Sequence, residues 1–428
     1  MISELALKFY KIDYNDKNFT FLNSLFNNKF NYKFLNILRY KIHMCPKNKS
    51  SDLFFNIENY THLREYKFLI DICLKLNFTI TIYSSNLILK NYFTKSKNIK
   101  IIDDCSIDLS NGFLFFFNFL FNPFLYKTIR EFKSKSYFFE LRYIFNNKSK
   151  FLFFYFFYKK LLNDISPKFC FVGNDLTFHG RMLSLISKSK SISFQHGNIY
   201  DDHKSNNHIV DIFFCYSSIS RDILKKSYKG ELIVSGSLFH KKMQFIINDI
   251  EYNFQNKMMF KNYTLIAFSG HGHSTSLKNY EKQINYIEKL VLSNPKDFFV
   301  FKLHPKENIE KYSLILNKKN VQFIEKDSFL NTYSIYPLLK KANKLITGIS
   351  TVSIEMMMMK KDVICLDPLN EYCLNELLQK ELVINVNNYS SLNLAYKREY
   401  DLNKKSYFYA CDFFGLNYDF DFNNFLLS

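Results

Sequence analysis

Between Tyr263 and Pro368 the chain repeats one pattern: a short run of β-branched and aromatic residues, a polar turn, then a stretch with apolar residues at helical spacing. YTLIAFSG, DFFVFKLHP, NVQFIEKD, KLITG and DVICLDP read as strands. LKNYEKQINYIEKLVLS, a helix of two or three turns, SIYPLLKKA and TVSIEMMMMK read as the intervening helices. Four or five βα units in a row predict a doubly wound parallel sheet, because a strand followed by a helical crossover returns beside its predecessor with one hand.

The first half carries the same signature less cleanly. THLREYKFLIDICLKLN (61–77) has helical spacing and runs into the alternating strand FTITIYS (78–84), with NIKIID as the next strand. Further on, PKFCFVGND (167–175), SISFQHG (191–197), DIFFCYS and ELIVSGS predict four more strands at the spacing of a parallel sheet. The rest of the first hundred residues mixes Phe and Asn without a clean period. A polar stretch after His240 marks a junction, so the expected division is residues 1–240, 241–385, and a tail 386–428 of closing helices that cross back to the first domain. The expected architecture is α/β, with two Rossmann-like domains whose strand ends face each other across a cleft.

Composition limits the partners. The net charge is +19, yet the lysines are scattered and no zinc finger, RRM or KH pattern occurs, so an anionic membrane surface or a phosphorylated substrate fits better than nucleic acid. The eight cysteines show no CxxC and no paired zinc spacing, and several sit in apolar strand-like runs, as reduced core thiols do. The N-terminal stretch lacks the pattern of a signal peptide, and no apolar run is long enough to span a bilayer. A cytoplasmic location at the inner face of the membrane is the expectation. The Phe-rich segments 111–126 and 151–158, flanked by basic residues, read as buried helices or as a surface resting on lipid head groups.

Candidate chemistry gathers at strand ends. In FKLHPKEN, Pro305 biases His304 towards an extended conformation at the end of its strand, where the imidazole can donate to a phosphate oxygen. Lys302 shares its strand face by the period of two. In ITGISTVSIE, Ser350 and Thr351 stand where a strand hands over to a helix and can cap it or bind a phosphate. Glu355, one turn later, suits ribose hydroxyls. Gly270, His271, Gly272 and His273 follow another strand; HExxH is absent, and the glycines favour close backbone approach to a ligand over metal ligation. The opposite wall offers Asn174 and Asp175, then Gln195, His196 and Gly197, with Asp201 and Asp202 just beyond. A strand-end histidine without a ligand, and a plain helix cap, are the simpler alternatives for His304 and for Ser350-Thr351. GxxxxGK[ST], GxGxxG and GxSxG are all absent, which argues against P-loop, dinucleotide and α/β-hydrolase chemistry.

KLHP, then PLLKKANKLITGISTVSIE and DVICLDP, resemble the C-terminal domain of GT-B glycosyltransferases that build bacterial capsules and other surface polysaccharides. The similarity is to the groups with an HP and a Ser-Ser/Thr motif, the sialyl-, polysialyl- and Kdo-transferases, with CDP-glycerol glycerophosphotransferases close behind. VGND and FQHG look like the N-terminal domain of such proteins, so the resemblance covers roughly Pro167 to Pro368. It implies a donor-binding second domain and an acceptor-side first domain. His304, Ser350 and Thr351 would contact the phosphate of a cytidine nucleotide in a CMP-sialic acid or CMP-Kdo type donor. The acceptor would be a glycan or glycolipid, and neither a metal nor another cofactor is called for. The acidic pair followed by Gly that supplies the sialyltransferase base is missing here, and Asp175 is the nearest stand-in. Two other readings remain open: a CDP-polyol phosphotransferase, and a non-catalytic scaffold of a capsule assembly complex.

Overall fold

The computed structural model describes residues 41–42, 50–84, 97–102, 107–108 and 158–428, except for 160, 198, 200–207, 243–259, 273–274, 305–306, 325–334, 349, 373–375 and 399–402. Pro305, His273, Asp201 and Asp202 lie outside the described residues, as do the segment 111–126 and all of 151–158 but its last residue.

Two parallel sheets form the framework. The first has seven strands: β1 (Leu53–Asn56), β2 (Ile80–Tyr83), β3 (Ile99–Ile102), β4 (Phe169–Val172), β5 (Lys190–Phe194), β6 (Ile212–Cys215) and β7 (Glu231–Val234). Their order is β3-β2-β1-β4-β5-β6-β7, so the sheet reverses its direction of winding between β1 and β4. The second has six: β8 (Thr264–Ile266), β9 (Phe299–Lys302), β10 (Val321–Ile324), β11 (Lys344–Thr347), β12 (Asp362–Leu366) and β13 (Ile384–Val386). Its order, β10-β9-β8-β11-β12-β13, is the doubly wound order of a Rossmann sheet, and it reverses between β8 and β11. Ligands of such sheets dock beyond the carboxyl ends of the strands at these reversals.

Strands such as FCFV and IFFC are buried on every residue, which is why they read as continuous apolar runs and not as alternating ones. β1, LFFN, is the central strand that sequence periodicity misses: its four residues are indistinguishable from the Phe/Asn background around them. β13, at the boundary between the second domain and the tail, is likewise a strand that the sequence reading does not single out.

The helices are α1 (Tyr60–Lys75), α2 (Phe178–Ile186), α3 (Ser218–Leu224), α4 (Leu277–Ser293), α5 (Ile335–Lys341), α6 (Thr351–Met358), α7 (Glu376–Gln379), α8 (Tyr389–Lys397), α9 (Asn403–Phe413) and α10 (Phe422–Leu427). At 17 residues α4 has nearly five turns, longer than the two or three expected, because Leu290 and Val291 carry its buried face past the polar Glu288.

α9 packs on α6, and the chain then returns to the first sheet. Ser237 N–H donates to the Phe414 carbonyl at 2.9 Å. Gly415, at φ +60°, lies so close to the Tyr216 carbonyl that any side chain would collide with it. Phe425 and Phe422 of α10 then stack on Phe169 and Phe194, and Phe425 meets Phe214 edge-on, covering one face of the first sheet with aromatic rings. Among the described residues, no helix is long and apolar enough to cross a membrane.

Candidate functional site

The strand-end loops of the two sheets meet. Gly197, three residues beyond β5, adopts φ +77°, and a methyl group on it would lie 3.0 Å from Thr351 Oγ1, at the first residue of α6. The first wall's QHG turn and the second wall's Ser-Thr turn are thus in contact, although 153 residues separate Gly197 from Ser350.

On the second wall two helix N-termini flank the sheet reversal, and they differ in what already occupies them. The N-terminus of α4 is filled by the protein itself. Ser276 N–H donates to Glu371 Oε2 at 2.9 Å, and Asn279 Nδ2 donates to Glu371 Oε2 at 3.1 Å and to Asp367 Oδ1 at 2.9 Å. Asp367, fully buried, also accepts from the backbone N–H groups of Glu371 and Tyr372. Tyr372 hydrogen-bonds Thr275 and covers Gly348, closing the space between β11 and α4. The N-terminus of α6 is different. Ser350 occupies the N-cap position, but its hydroxyl makes no capping bond; Ser350 Oγ is screened from solvent and has no hydrogen-bond partner among the described residues. A helix N-terminus concentrates unsatisfied N–H groups and positive potential; at α4 Ser276 Oγ accepts from Asn279 N–H and the Glu371 carboxylate lies against the cap, whereas among the described residues α6 has neither.

His304 lies two residues beyond β9, half-buried, in a turn fixed by a carboxylate that sequence reasoning passed over. Its N–H donates to Glu307 Oε2 at 2.7 Å, and Glu307 N–H donates back to the His304 carbonyl at 2.9 Å. The other oxygen of Glu307 accepts from the hydroxyls of Tyr280 and Tyr312 at 2.9 and 3.0 Å. Glu307 therefore ties the histidine turn to α4. The spacing of a carboxylate three residues after His304 was the available signal. Lys302 is buried in β9. His271 and Gly272 are exposed, and Gly270 is buried.

Two acids expected at the cleft are engaged elsewhere. The Asp175 carboxylate is fully buried and accepts from His208 Nδ1 at 2.6 Å and from the N–H groups of Ile209 and Val210 at 2.6 and 3.3 Å. Burial opposes its ionisation, but His208 and the backbone donors outweigh that and hold it below the ordinary aspartate value. It pins the start of β6 and is not presented to a ligand. Asn174 closes a local turn by accepting from Leu176 N–H, and Gln195 bridges Tyr216 N–H and the Gly197 carbonyl.

Glu355 is also buried, in a polar network between the two sheets. It accepts from Tyr336 Oη at 2.7 Å, contacts His240 Nε2 at 3.2 Å and lies 3.6 Å from Arg64 Nη1. Arg64 comes from α1 of the first sheet and reaches its neighbour Glu65 at 3.5 Å, which accepts from Tyr216 Oη at 2.8 Å. His240 rests on Phe414 and hydrogen-bonds Ser237. Burial penalises charge on Glu355, yet His240, Arg64 and Tyr336 together hold it below the usual glutamate value; for Glu65 burial prevails and raises it. Burial depresses His240 to about 4. This carboxylate holds α6 against the first wall instead of standing open to a ribose.

His196 is the exception on the first wall. Its Nε2 contacts the Gly173 carbonyl, which can only accept, so the proton sits on Nε2 and Nδ1 carries a bare lone pair. That Nδ1 has no partner among the described residues. Burial lowers the group to about 4, keeping the ring neutral at physiological pH. Among the described residues, no group of three or more His, Cys, Asp or Glu is gathered as for a metal ion.

No protein-family model matches the chain, and no curated protein sequence does. Solved structures do. UDP-GlcNAc 2-epimerase from Neisseria meningitidis, bound to UDP-GlcNAc, superposes with a TM-score of 0.56 at 14% identity, over 88% of this chain and 99% of that one. The UDP-GlcNAc 2-epimerase of Methanocaldococcus jannaschii gives 0.54 at 15% identity, over 83% and 93%. The chain has the GT-B fold. At this identity the likeness extends to the fold alone; the two GT-B walls described above are this chain's own.

Proposed function

We propose that this GT-B protein is a glycosyltransferase in which the N-terminus of α6, with Ser350, Thr351 and His304, binds the phosphate of a nucleotide-activated sugar. The observation that carries the reading is the contrast between the two helix N-termini: α4 is capped by Ser276 and covered by Glu371, while Ser350 at the N-cap of α6 makes no capping bond and its hydroxyl has no partner among the described residues. A donor of the CMP-sialic acid or CMP-Kdo type is favoured by the HP and Ser-Thr motifs, and a surface glycan or glycolipid hydroxyl is the acceptor. Because the epimerase that superposes here was solved with UDP-GlcNAc, UDP is the competing nucleotide.

In an inverting transfer the acceptor hydroxyl loses its proton as its oxygen bonds the anomeric carbon, and the nucleotide phosphate leaves with the bonding pair. His304 and the α6 N–H groups stabilise that departing charge. With Asp175 and Glu355 committed to buried partners, we assign the base to His196, a titratable group at a strand end of the first wall whose Nδ1 has no partner among the described residues. Such a base contributes on the order of a hundred- to ten-thousand-fold.

Thermal-shift titrations with CMP, CDP, UDP and GDP test the donor site, since a ligand at a hundred times its dissociation constant adds about 2.7 kcal/mol of stability. Stabilisation by CMP supports the reading, by CDP alone points to polyol-phosphate transfer, and by UDP alone overturns the cytidine choice. No response to any nucleotide leaves the non-catalytic scaffold. His304→Ala should abolish most transfer while leaving the melting temperature near wild type.

A further inference from the structure

Five of the nine large hydrophobic side chains exposed among the described residues lie on two adjoining segments: Leu277 and Leu292 at the ends of α4, and Ile309, Leu314 and Leu316 on the chain beside it. They are 37 to 59% exposed. The two segments run alongside each other. Lys311 Nζ lies 5.3 Å over the Tyr280 ring near the start of α4, and Leu314 N–H donates at 2.9 Å to Glu288, one turn before Leu292. The 17 residues of α4 make this strip about 25 Å long.

Its charge is one-sided. Lys278, Lys289, Lys311, Lys318 and Lys319 are exposed on these segments against Glu281 and Glu310 alone, while Glu288 is buried beneath Leu314. Core packing does not explain exposed leucines among lysines, and a scattered surface distribution would not place five of nine on one flank. Apolar side chains rimmed by lysine suit a surface that is apolar a few ångströms down and anionic on top.

We propose that this flank of the second sheet docks on an anionic lipid bilayer, with Leu314 and Leu316 entering the head-group boundary and the lysines meeting lipid phosphates. Leu277 and Ile309 are at the end of the strip nearest His304, so the docked protein holds its strand-end loops close to the lipid surface. The inference is independent of which nucleotide the site takes.

Co-sedimentation with vesicles of phosphatidylcholine alone, and with roughly 30% phosphatidylglycerol added, tests it. The full chain should sediment with the anionic vesicles and release as salt rises. The double variant Leu314→Glu, Leu316→Glu should lose tenfold or more in partitioning, about the effect of withdrawing two leucines and adding two anions, while keeping the far-UV spectrum and melting temperature of wild type. Lys318→Glu with Lys319→Glu should weaken anionic binding and leave the weak zwitterionic binding unchanged. Equal sedimentation of wild type and the leucine variant, or no binding to anionic vesicles, overturns the proposal. So does a wild-type dimer in light scattering that the leucine variant converts to monomer, since the strip would then be a self-interface.

Discussion

Replacing Arg64 by leucine would test whether the polar network between the sheets holds the two walls together. The guanidinium is 3.5 Å from Glu65 and 3.6 Å from Glu355, donates to Tyr336 Oη at 3.3 Å, and stands 4.7 Å over the Phe239 ring. At an effective dielectric constant of 20 each charge contact is worth about 4.5 kcal/mol before desolvation. Leucine leaves two buried carboxylates without their cation, which typically costs about 3–5 kcal/mol. Protonation sets the ceiling: neutralising a carboxyl of ordinary value 4.5 at pH 7.5 costs about 4 kcal/mol, and at pH 5.0 about 0.7 kcal/mol. In the wild type, Glu355 has a lowered value, so its stabilisation is present above its ordinary value and is lost as pH falls through its folded value. Glu65 has a raised one, so it costs stability as pH rises through its folded value. Loss of Arg64 moves both upward. The variant's deficit, read from urea-induced loss of far-UV ellipticity because the chain has no Trp, should therefore be about 3–5 kcal/mol at pH 7.5 and shrink to roughly 1–2 kcal/mol at pH 5.0. Arg64→Lys, which keeps the charge without the fork, should fall between. A deficit below about 1 kcal/mol at pH 7.5, or one that does not change with pH, would refute the reasoning.

Ser350→Ala should leave unfolding free energy within about 0.5 kcal/mol of wild type, because the hydroxyl has no partner to lose, yet it should reduce the nucleotide-induced thermal shift; an unchanged shift argues against phosphate at α6. Glu307→Ala strips an acceptor from Tyr280, Tyr312 and the His304 N–H, and calorimetry should show a loss of about 2–4 kcal/mol. Asp175→Asn should cost about 2–3 kcal/mol at pH 7 through the lost charge against His208; since the wild-type value is lowered, the deficit should fade as pH drops through that depressed value. A constant deficit down to pH 3 would show that Asp175 does not work through its charge.

The second sheet was legible because polar turn residues punctuate its strands, so the switch from strand period to helical period is abrupt at Gly270 and Gly348. Six of the seven strands of the first sheet were legible too; β1 was not, because it carries no turn signal and no alternation, and only its pairing with β2 and β4 reveals it. The same holds for side-chain roles. Position at a strand end is readable for Asp175, Gln195 and His196, and position one helical turn after Thr351 for Glu355. Which way each one is used depends on partners far along the chain: His208 for Asp175, and Arg64 and His240 for Glu355. No local spacing encodes those pairings. Glu307 shows the reverse, a local contact three residues from His304 that was within reach of the sequence.

These partnerships also explain why the two walls differ chemically. Every carboxylate traced near the cleft, Asp175, Glu307, Glu355, Asp367 and Glu371, already accepts two or more hydrogen bonds from the protein. Among the unpartnered buried polar atoms of the described residues are the Ser350 hydroxyl on one wall and the Nδ1 lone pair of His196 on the other. Hydrogen bonds hold these carboxylates in place and turn their oxygens towards protein donors, which lessens but does not remove their repulsion of an anionic ligand. Gly197, which follows His196, lies against Thr351 at the start of α6 and holds φ +77°, a conformation that residues with a side chain rarely adopt.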